Sequence, residues 1–264
     1  MTDSIKKAYV DTPGGQVHYR ERAGEGTPVI MLHQTASSSK MFDAMMAGYP
    51  AGRRLIALDT PGFGGSFEPG GEPTMADYGE MLFAAIKALG LTRVHLHGHH
   101  TGASVAIEIA AAHPDAVASL SMIGPVVLTE EERGAFGSVY PKPFEPQDDG
   151  SHLQLMWDYV AELGATDLTL KHREFVDTAR AWAGHIRVYR KIWEQDFAAL
   201  FGQISAPMQI MCSPDDVLWV VFERAKAQRP DAQVVELGGS NFQPDQDTAA
   251  VNAALAAFVD QHDG

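Results

Sequence analysis

Val94-His95-Leu96-His97-Gly98-His99-His100-Thr101-Gly102 decides how this chain is read. A short apolar-alternating stretch runs into Gly-x-X-x-Gly, and a run of small and apolar residues follows from Ala103. The frame is a strand, a sharp elbow and a close-packed helix. Its glycines stand where strand and helix approach too closely for side chains. Such an elbow holds its central residue on a strained turn at the top of a sheet, where Ser, Cys or Asp would act as nucleophile. Here the central residue is His100.

Upstream, Val17-His18-Tyr19-Arg20 reads as an early strand after the turn at Pro13-Gly14-Gly15. Pro28-Val29-Ile30-Met31-Leu32 and Arg54-Leu55-Ile56-Ala57-Leu58-Asp59 are continuous apolar runs bounded by turn residues, as expected of strands buried on both faces of a parallel sheet. A short helix is expected over Ser38 to Met46. A longer one spans Met75 to Leu89, with apolar residues at helical spacing and Gly90 as its cap. Downstream, a helix runs from Ala103 to about His113 and is stopped by Pro114. Further strands are expected at Val117 to Ile123, Met208 to Cys212 and Gln233 to Leu237, and a last helix from about Ala249 to Gln261. This alternation predicts an α/β fold with a doubly wound, mostly parallel sheet. From Leu128 to about Gly202 the rhythm breaks, and only helical patterns appear, around Leu153–Leu163, Leu170–Ala183 and Ile186–Phe201. The expected organisation is a core of residues 1–127 and 203–264 with a helical insertion at 128–202.

Composition bounds the function. With 264 residues and 45% hydrophobic content, one large domain with a sizeable core is affordable. A net charge of -14 argues against nucleic-acid and anionic-membrane partners, which need basic patches. Cys212 is the only cysteine, so no internal disulfide forms, and its apolar strand marks it as a small buried hydrophobe. Met1-Thr2-Asp3-Ser4-Ile5-Lys6-Lys7 lacks an apolar h-region, and no apolar run has the length of a membrane span, so the expected location is cytoplasmic.

These pieces, in this order, resemble the α/β-hydrolase superfamily over nearly the whole chain, in its capped branch with the meta-cleavage hydrolases and haloalkane dehalogenases. Leu32-His33-Gln34-Thr35 follows one strand, Asp59-Thr60-Pro61-Gly62-Phe63-Gly64-Gly65-Ser66 the next, and the elbow another. Pro214-Asp215-Asp216 and Gly238-Gly239-Ser240-Asn241-Phe242 follow late strands. The resemblance implies oxyanion donors at the backbone of Thr101 and near Thr35, with Gln34 in place of the usual glycine after His33, and substrate contacts from this loop. It also implies a triad. Asp216 fits the acid position, with Asp215 as the alternative. His100 takes the nucleophile position and Asn241 that of the partner histidine, so ordinary Ser–His proton transfer does not apply.

An imidazole at the elbow can act as base or nucleophile. With no second histidine to take a proton, the base role is favoured over an acyl-imidazole, with Asp216 and Asn241 orienting the ring or binding substrate. His33 and His99 are read as structural, and His97 as a hydrogen-bonded core residue. A metal is not expected, because the clustered histidines point in different directions and no carboxylate stands at ligand spacing in sequence. Ser37, Ser38 and Ser39 are read as helix-capping, with a replacement nucleophile as the alternative. In the insertion, Trp157, Trp182 and His185, with Trp193, Tyr140 and His152, are candidates to line a pocket over His100. The expected function is an enzyme cleaving an ester, lactone or C–C bond in a small, largely apolar carbonyl compound, with His100 as base and backbone amides at the oxyanion. A lyase, decarboxylase or cofactor-free oxygenase on the same scaffold, and a binding protein without turnover, stay open. No organic cofactor is implied. The implied partner is a small-molecule substrate, and a homodimer is compatible with the reading.

Overall fold

A computed structural model describes residues 4–50 and 52–263. Met1, Thr2 and Asp3 of the expected leaderless N-terminus lie outside the described residues. Eight strands form one sheet: β1 (Lys6–Thr12), β2 (Gly15–Arg22), β3 (Glu25–Leu32), β4 (Arg53–Leu58), β5 (Val94–His99), β6 (Val117–Ile123), β7 (Met208–Cys212) and β8 (Gln233–Glu236). Their spatial order is β1-β2-β4-β3-β5-β6-β7-β8. β1 and β2 pair antiparallel, as do β2 and β4, and all other neighbours are parallel. This is the doubly wound, mostly parallel sheet that the alternating pattern predicts.

The helices are α1 (Asp43–Gly48), α2 (Met75–Ala88), α3 (Thr101–Ala112), α4 (Glu130–Val139), α5 (Ser151–Glu162), α6 (Leu168–Arg180), α7 (Trp182–Ile192), α8 (Phe197–Gln203), α9 (Phe222–Gln228), α10 (Gln243–Gln246) and α11 (Thr248–Gln261). Strand alternation explains the two layers. Ile30, Leu32, Ile56, Leu58 and Leu96 face α2 and α3. Val29, Met31, Leu55 and Ala57 face Met45 and Met46 of α1 and Val251, Leu255 and Val259 of α11. A sheet covered on both faces needs the unbroken apolar runs that mark these strands.

Helices α4 to α8 lie between β6 and β7. The apolar spacing of the chain does not predict α4. Its start is marked instead by a capping box, in which the Thr129 hydroxyl accepts from Glu132 N at 3.2 Å and the Glu132 carboxylate from Thr129 N at 2.8 Å. α8 returns to the core, burying Phe197 and Phe201 with the side chains of α3. Among the described residues no helix is long and apolar enough to cross a membrane.

Candidate active site

At the C-terminal end of β5 the chain turns sharply into α3, and His100 is the turn. It holds φ 49° and ψ -108°, the only non-glycine at positive φ among the described residues. Such a conformation costs about 1–3 kcal/mol and needs support from its surroundings. His100 N–H donates to the Ile123 carbonyl at 2.9 Å, and the His100 carbonyl accepts from Ala103 and Ser104 N–H at 2.8 and 3.1 Å. A side chain at Gly102 would run into the Leu32 carbonyl, so the helix start seats against β3 only with glycine there. Gly124 (φ 62°), just past β6, matters equally: a Cβ there would come within 2.6 Å of His100 Nε2. The imidazole lies over that bare backbone.

From there the ring meets Asp216. His100 Nε2 lies 2.8 Å from Asp216 Oδ2, with the His100 side chain 13% exposed and the carboxylate fully buried. The same Oδ2 accepts from Gln243 Nε2 at 2.6 Å, and Oδ1 accepts from Leu218 N–H at 2.8 Å. Burial opposes the charge on Asp216, but the charge and hydrogen bonds of His100, Leu218 and Gln243 outweigh it and hold the carboxyl below its ordinary range. A charged carboxylate takes a proton donor, so His100 directs an Nε2 hydrogen at Asp216, and Nδ1 has no protein partner among the described residues. Behind Asp216 the chain of bonds continues: Gln243 Oε1 lies 2.9 Å from His99 Nε2. Burial drives the His99 ring well below its usual range, with neighbouring His100 pushing the same way, so His99 is neutral. It then donates from Nε2 and fixes which end of the Gln243 amide faces Asp216.

His99, His100 and Asp216 each offer a ligand atom, all within 4.8 Å of one another. The fold thus corrects the expectation that no carboxylate stands at ligand spacing. These donors are already committed to one another through Oδ2 and Gln243, and the free His99 nitrogen, Nδ1, is buried. The set reads as a hydrogen-bond chain.

His100 opens into a small cavity. One pole is polar, formed by Gln34, Thr35, Thr101 and Asn241 around His100. As the first helical residue of α3, Thr101 has an N–H without an intrahelical acceptor, and the Thr35 N–H has no backbone acceptor among the described residues. Gln34 is 4% exposed, and its side-chain amide bonds to no described residue. The other pole is aromatic, with Phe136, Tyr140, Tyr159, Tyr189 and Trp193.

Comparison with known proteins agrees with the fold. The family model for the alpha/beta hydrolase fold matches residues 27–216. The chain belongs to the α/β-hydrolase family. This α/β-hydrolase is 32% identical over 123 residues to a haloalkane dehalogenase of Agrobacterium fabrum, covering 46% of the chain and 40% of the relative. It is 26% identical over 185 residues to a 2-hydroxymuconate semialdehyde hydrolase of Pseudomonas putida, covering 67% and 60%. The chain therefore spans less than two thirds of the length of either relative. Among solved structures, an N-acyl homoserine lactonase superposes with a TM-score of 0.79 at 20% identity, covering 98% of each chain. An enol-lactonase from Burkholderia xenovorans does so at 0.77 and 19%, covering 96% of this chain and 100% of the other.

The hydrolase fold places the expected residues unevenly. His100 and Asp216 meet, while Asp215 is exposed and plays no part. Asn241 lines the cavity, but its amide is held by backbone: Oδ1 accepts from Val217 N–H at 3.1 Å and Nδ2 donates to the Leu163 carbonyl at 2.9 Å. It ties the acid loop to the end of α5 and makes no bond to His100, a correction to the expected orienting role. His33 has the structural place read for it, and the substrate contact expected of its loop does not extend to it. Its Nδ1 lies 2.8 Å from the Gln34 carbonyl and its Nε2 accepts from Thr60 N–H at 3.0 Å, so it braces the loop from beneath and does not line the cavity. Trp157, Trp182 and His185 stand outside it too. Trp157 packs on Phe175 and under Lys171, Trp182 packs on a separate cluster around Phe144 and Phe242, and His185 backs Tyr159 and Tyr189. Ser38 caps the turn before α1 and also donates to Asp177 at 2.7 Å; Ser37 donates to buried Glu174. Sequence reasoning missed Gln243, Gly124 and the lining by Phe136, Tyr159 and Tyr189. The capping box at Thr129 was the available signal for α4, which carries Phe136.

Proposed function

We infer that this α/β-hydrolase cleaves a small, largely apolar carbonyl compound, an ester or lactone or an activated C–C bond, with His100 as general base. The observation that carries the reading is the His100–Asp216 contact, which occupies Nε2 and leaves Nδ1 without a protein partner in a ring that lines the polar pole of the cavity. In hydrolysis Nδ1 takes a proton from water as its oxygen attacks the carbonyl carbon. Asp216 stabilises the imidazolium, as an acid partner does in a triad. The carbonyl oxygen gains negative charge within reach of the Thr101 and Thr35 N–H groups, whose dipoles are fixed before the reaction. Collapse expels the leaving oxygen, which takes the proton back from Nδ1. Residues 128–202 act as a cap that limits bulk water over the core of 1–127 and 203–264. No metal or organic cofactor enters this scheme. The hydrolytic relatives support the reaction class, and the committed amide of Asn241 supports a base that works without a second shuttle.

The test is a panel of neutral esters and lactones assayed with wild type and His100→Ala. A positioned base contributes about 10²–10⁴-fold, and the variant should lose that much in kcat/KM. Equal rates in the two proteins would place the chemistry elsewhere. If wild type turns over none of the panel while a bound ligand raises Tm, the binding-protein reading replaces this one.

A further inference from the structure

We propose that the site takes a neutral aryl carbonyl compound, its ring lying among Tyr140, Tyr189 and Trp193 and its carbonyl-bearing end at Gln34 beside His100. The proposal rests on the reading of His100 as the reactive group and names what that group acts on. Two observations point to it, one at each pole of the cavity.

At the aromatic pole the rings are ordered. Tyr140 and Tyr189 stack with centroids 5.1 Å apart and planes 24° apart, and Tyr189 and Trp193 stack at 5.6 Å and 23°. Tyr189 thus stacks on both neighbours, which are themselves tilted by 39° at 6.3 Å, and this aromatic wall from the end of α4 and from α7 suits a flat ring packed against it. Saturated rings and flexible chains gain only the area term there.

At the polar pole stands Gln34, 4% exposed as a residue, whose carboxamide makes no hydrogen bond to a described residue and opens to the cavity. An uncommitted amide facing a cavity is free to pair with a ligand group, and an apolar group placed against it would leave it unpaired. Its carboxamide adds a side-chain donor and an acceptor to the lining that it shares with Thr35 and Thr101. A glycine at this position would offer neither. The cavity is lined by no Lys and no Arg: the Asp216 carboxylate stands behind His100 at the polar pole, and Lys142 Nζ lies 5.1 Å from the Tyr140 ring centroid without lining the cavity. An anionic head group would enter without a cation to meet it, so the ligand is neutral.

The experiment uses matched neutral esters whose alcohols differ little in acidity, benzyl acetate and cyclohexylmethyl acetate, beside the anionic 4-(acetoxymethyl)benzoate. Wild type is expected to favour benzyl over cyclohexylmethyl acetate about tenfold in kcat/KM, the size of one ring-on-ring contact, and to discriminate at least as strongly against the benzoate. Tyr189→Leu should reduce the ratio of benzyl to cyclohexylmethyl ester turnover to about twofold or less, whatever it does to the absolute rates. Gln34→Leu should weaken binding of N-methylbenzamide, read by quenching of tryptophan fluorescence. The same quenching titration in wild type, with N-methylbenzamide against N-methylcyclohexanecarboxamide, reads the preference without chemistry. Aryl-selective binding without turnover of any ester overturns the hydrolytic reading and keeps the aryl proposal. Turnover with no aryl preference, or binding of neither amide, overturns the aryl proposal. Should Tyr189→Leu fail to fold, Trp193→Leu tests the same wall.

Discussion

Gln243 is the least conspicuous member of the site and gives the sharpest test of its construction. It is fully buried, donates to Asp216 at 2.6 Å and accepts from His99 at 2.9 Å. Replacing it with leucine keeps most of the volume and removes both bonds. A hydrogen bond to a charged group is worth about 1.5–3 kcal/mol, and stranding the buried His99 N–H costs about 1–3 kcal/mol. Gln243→Leu should therefore destabilise the protein by about 3–5 kcal/mol, well above an ordinary core swap of similar volume. Adding His99→Phe removes the stranded donor, so the double variant should recover about 1–2 kcal/mol relative to the sum of the single changes. Urea unfolding monitored by circular dichroism measures this cycle, and a shift in midpoint with unchanged m isolates the native-state effect. A loss of less than about 1 kcal/mol, or single effects that add to within about 0.5 kcal/mol, would refute the chain from His99 through Gln243 to Asp216.

Other consequences follow from groups around the site. Burial pushes the His97 ring down to about 3, so the folded state refuses a proton that the unfolded state accepts at about 6.5. The unfolded state binds more protons between those values, and stability must fall as pH drops from about 6.5 toward 3. His97→Gln should lessen that loss by up to about 1.4 kcal/mol per pH unit in unfolding experiments between pH 6 and 4. Burial raises the carboxyls of Glu174 and Asp177, which protonate first in the folded state and so act in the opposite sense over their own range. Arg173 bridges Glu174 and Asp245, with distances of 2.5 and 2.6 Å. Arg173→Met leaves the Glu174 charge buried and unpaired, and should cost about 3 kcal/mol near pH 8 and less in mild acid, where Glu174 takes a proton. Burial pushes the Cys212 thiol up, so a thiol reagent such as Ellman's should leave native protein unlabelled and label one thiol in urea.

The core was legible because its signals are local. Buried parallel strands need unbroken apolar runs, and the elbow needs glycines at fixed offsets, so β3 to β7, α3 and His100 could be placed from sequence. Asp216 was legible for the same reason, as the second acid in a loop just past a strand end. β1 was not, because an edge strand with alternating exposed residues lacks an apolar run and is held by its pairing with β2. Gln243 was hidden because its role comes from contacts 27 and 144 residues away, with nothing in the adjacent sequence to mark it. The inserted helices were harder still. They bury apolar residues on two sides, against the core and against each other, so helical spacing could not tell Tyr159 and Tyr189, which face the cavity, from Trp157 and Trp182, which do not. Asn241 was placed correctly in the fold, but its bonds to the Leu163 carbonyl and the Val217 N–H depend on how α5 docks.

The central claim concerns one proton on one ring. Nitrogen-15 NMR of protein labelled in its histidines, with His100 assigned by comparison with His100→Ala, reports which nitrogen carries hydrogen. The account predicts a hydrogen on Nε2 of His100, bonded to Asp216, and an Nδ1 signal that shifts when a cavity ligand binds. An Nε2 without a hydrogen, or an Nδ1 signal indifferent to ligand, would contradict it.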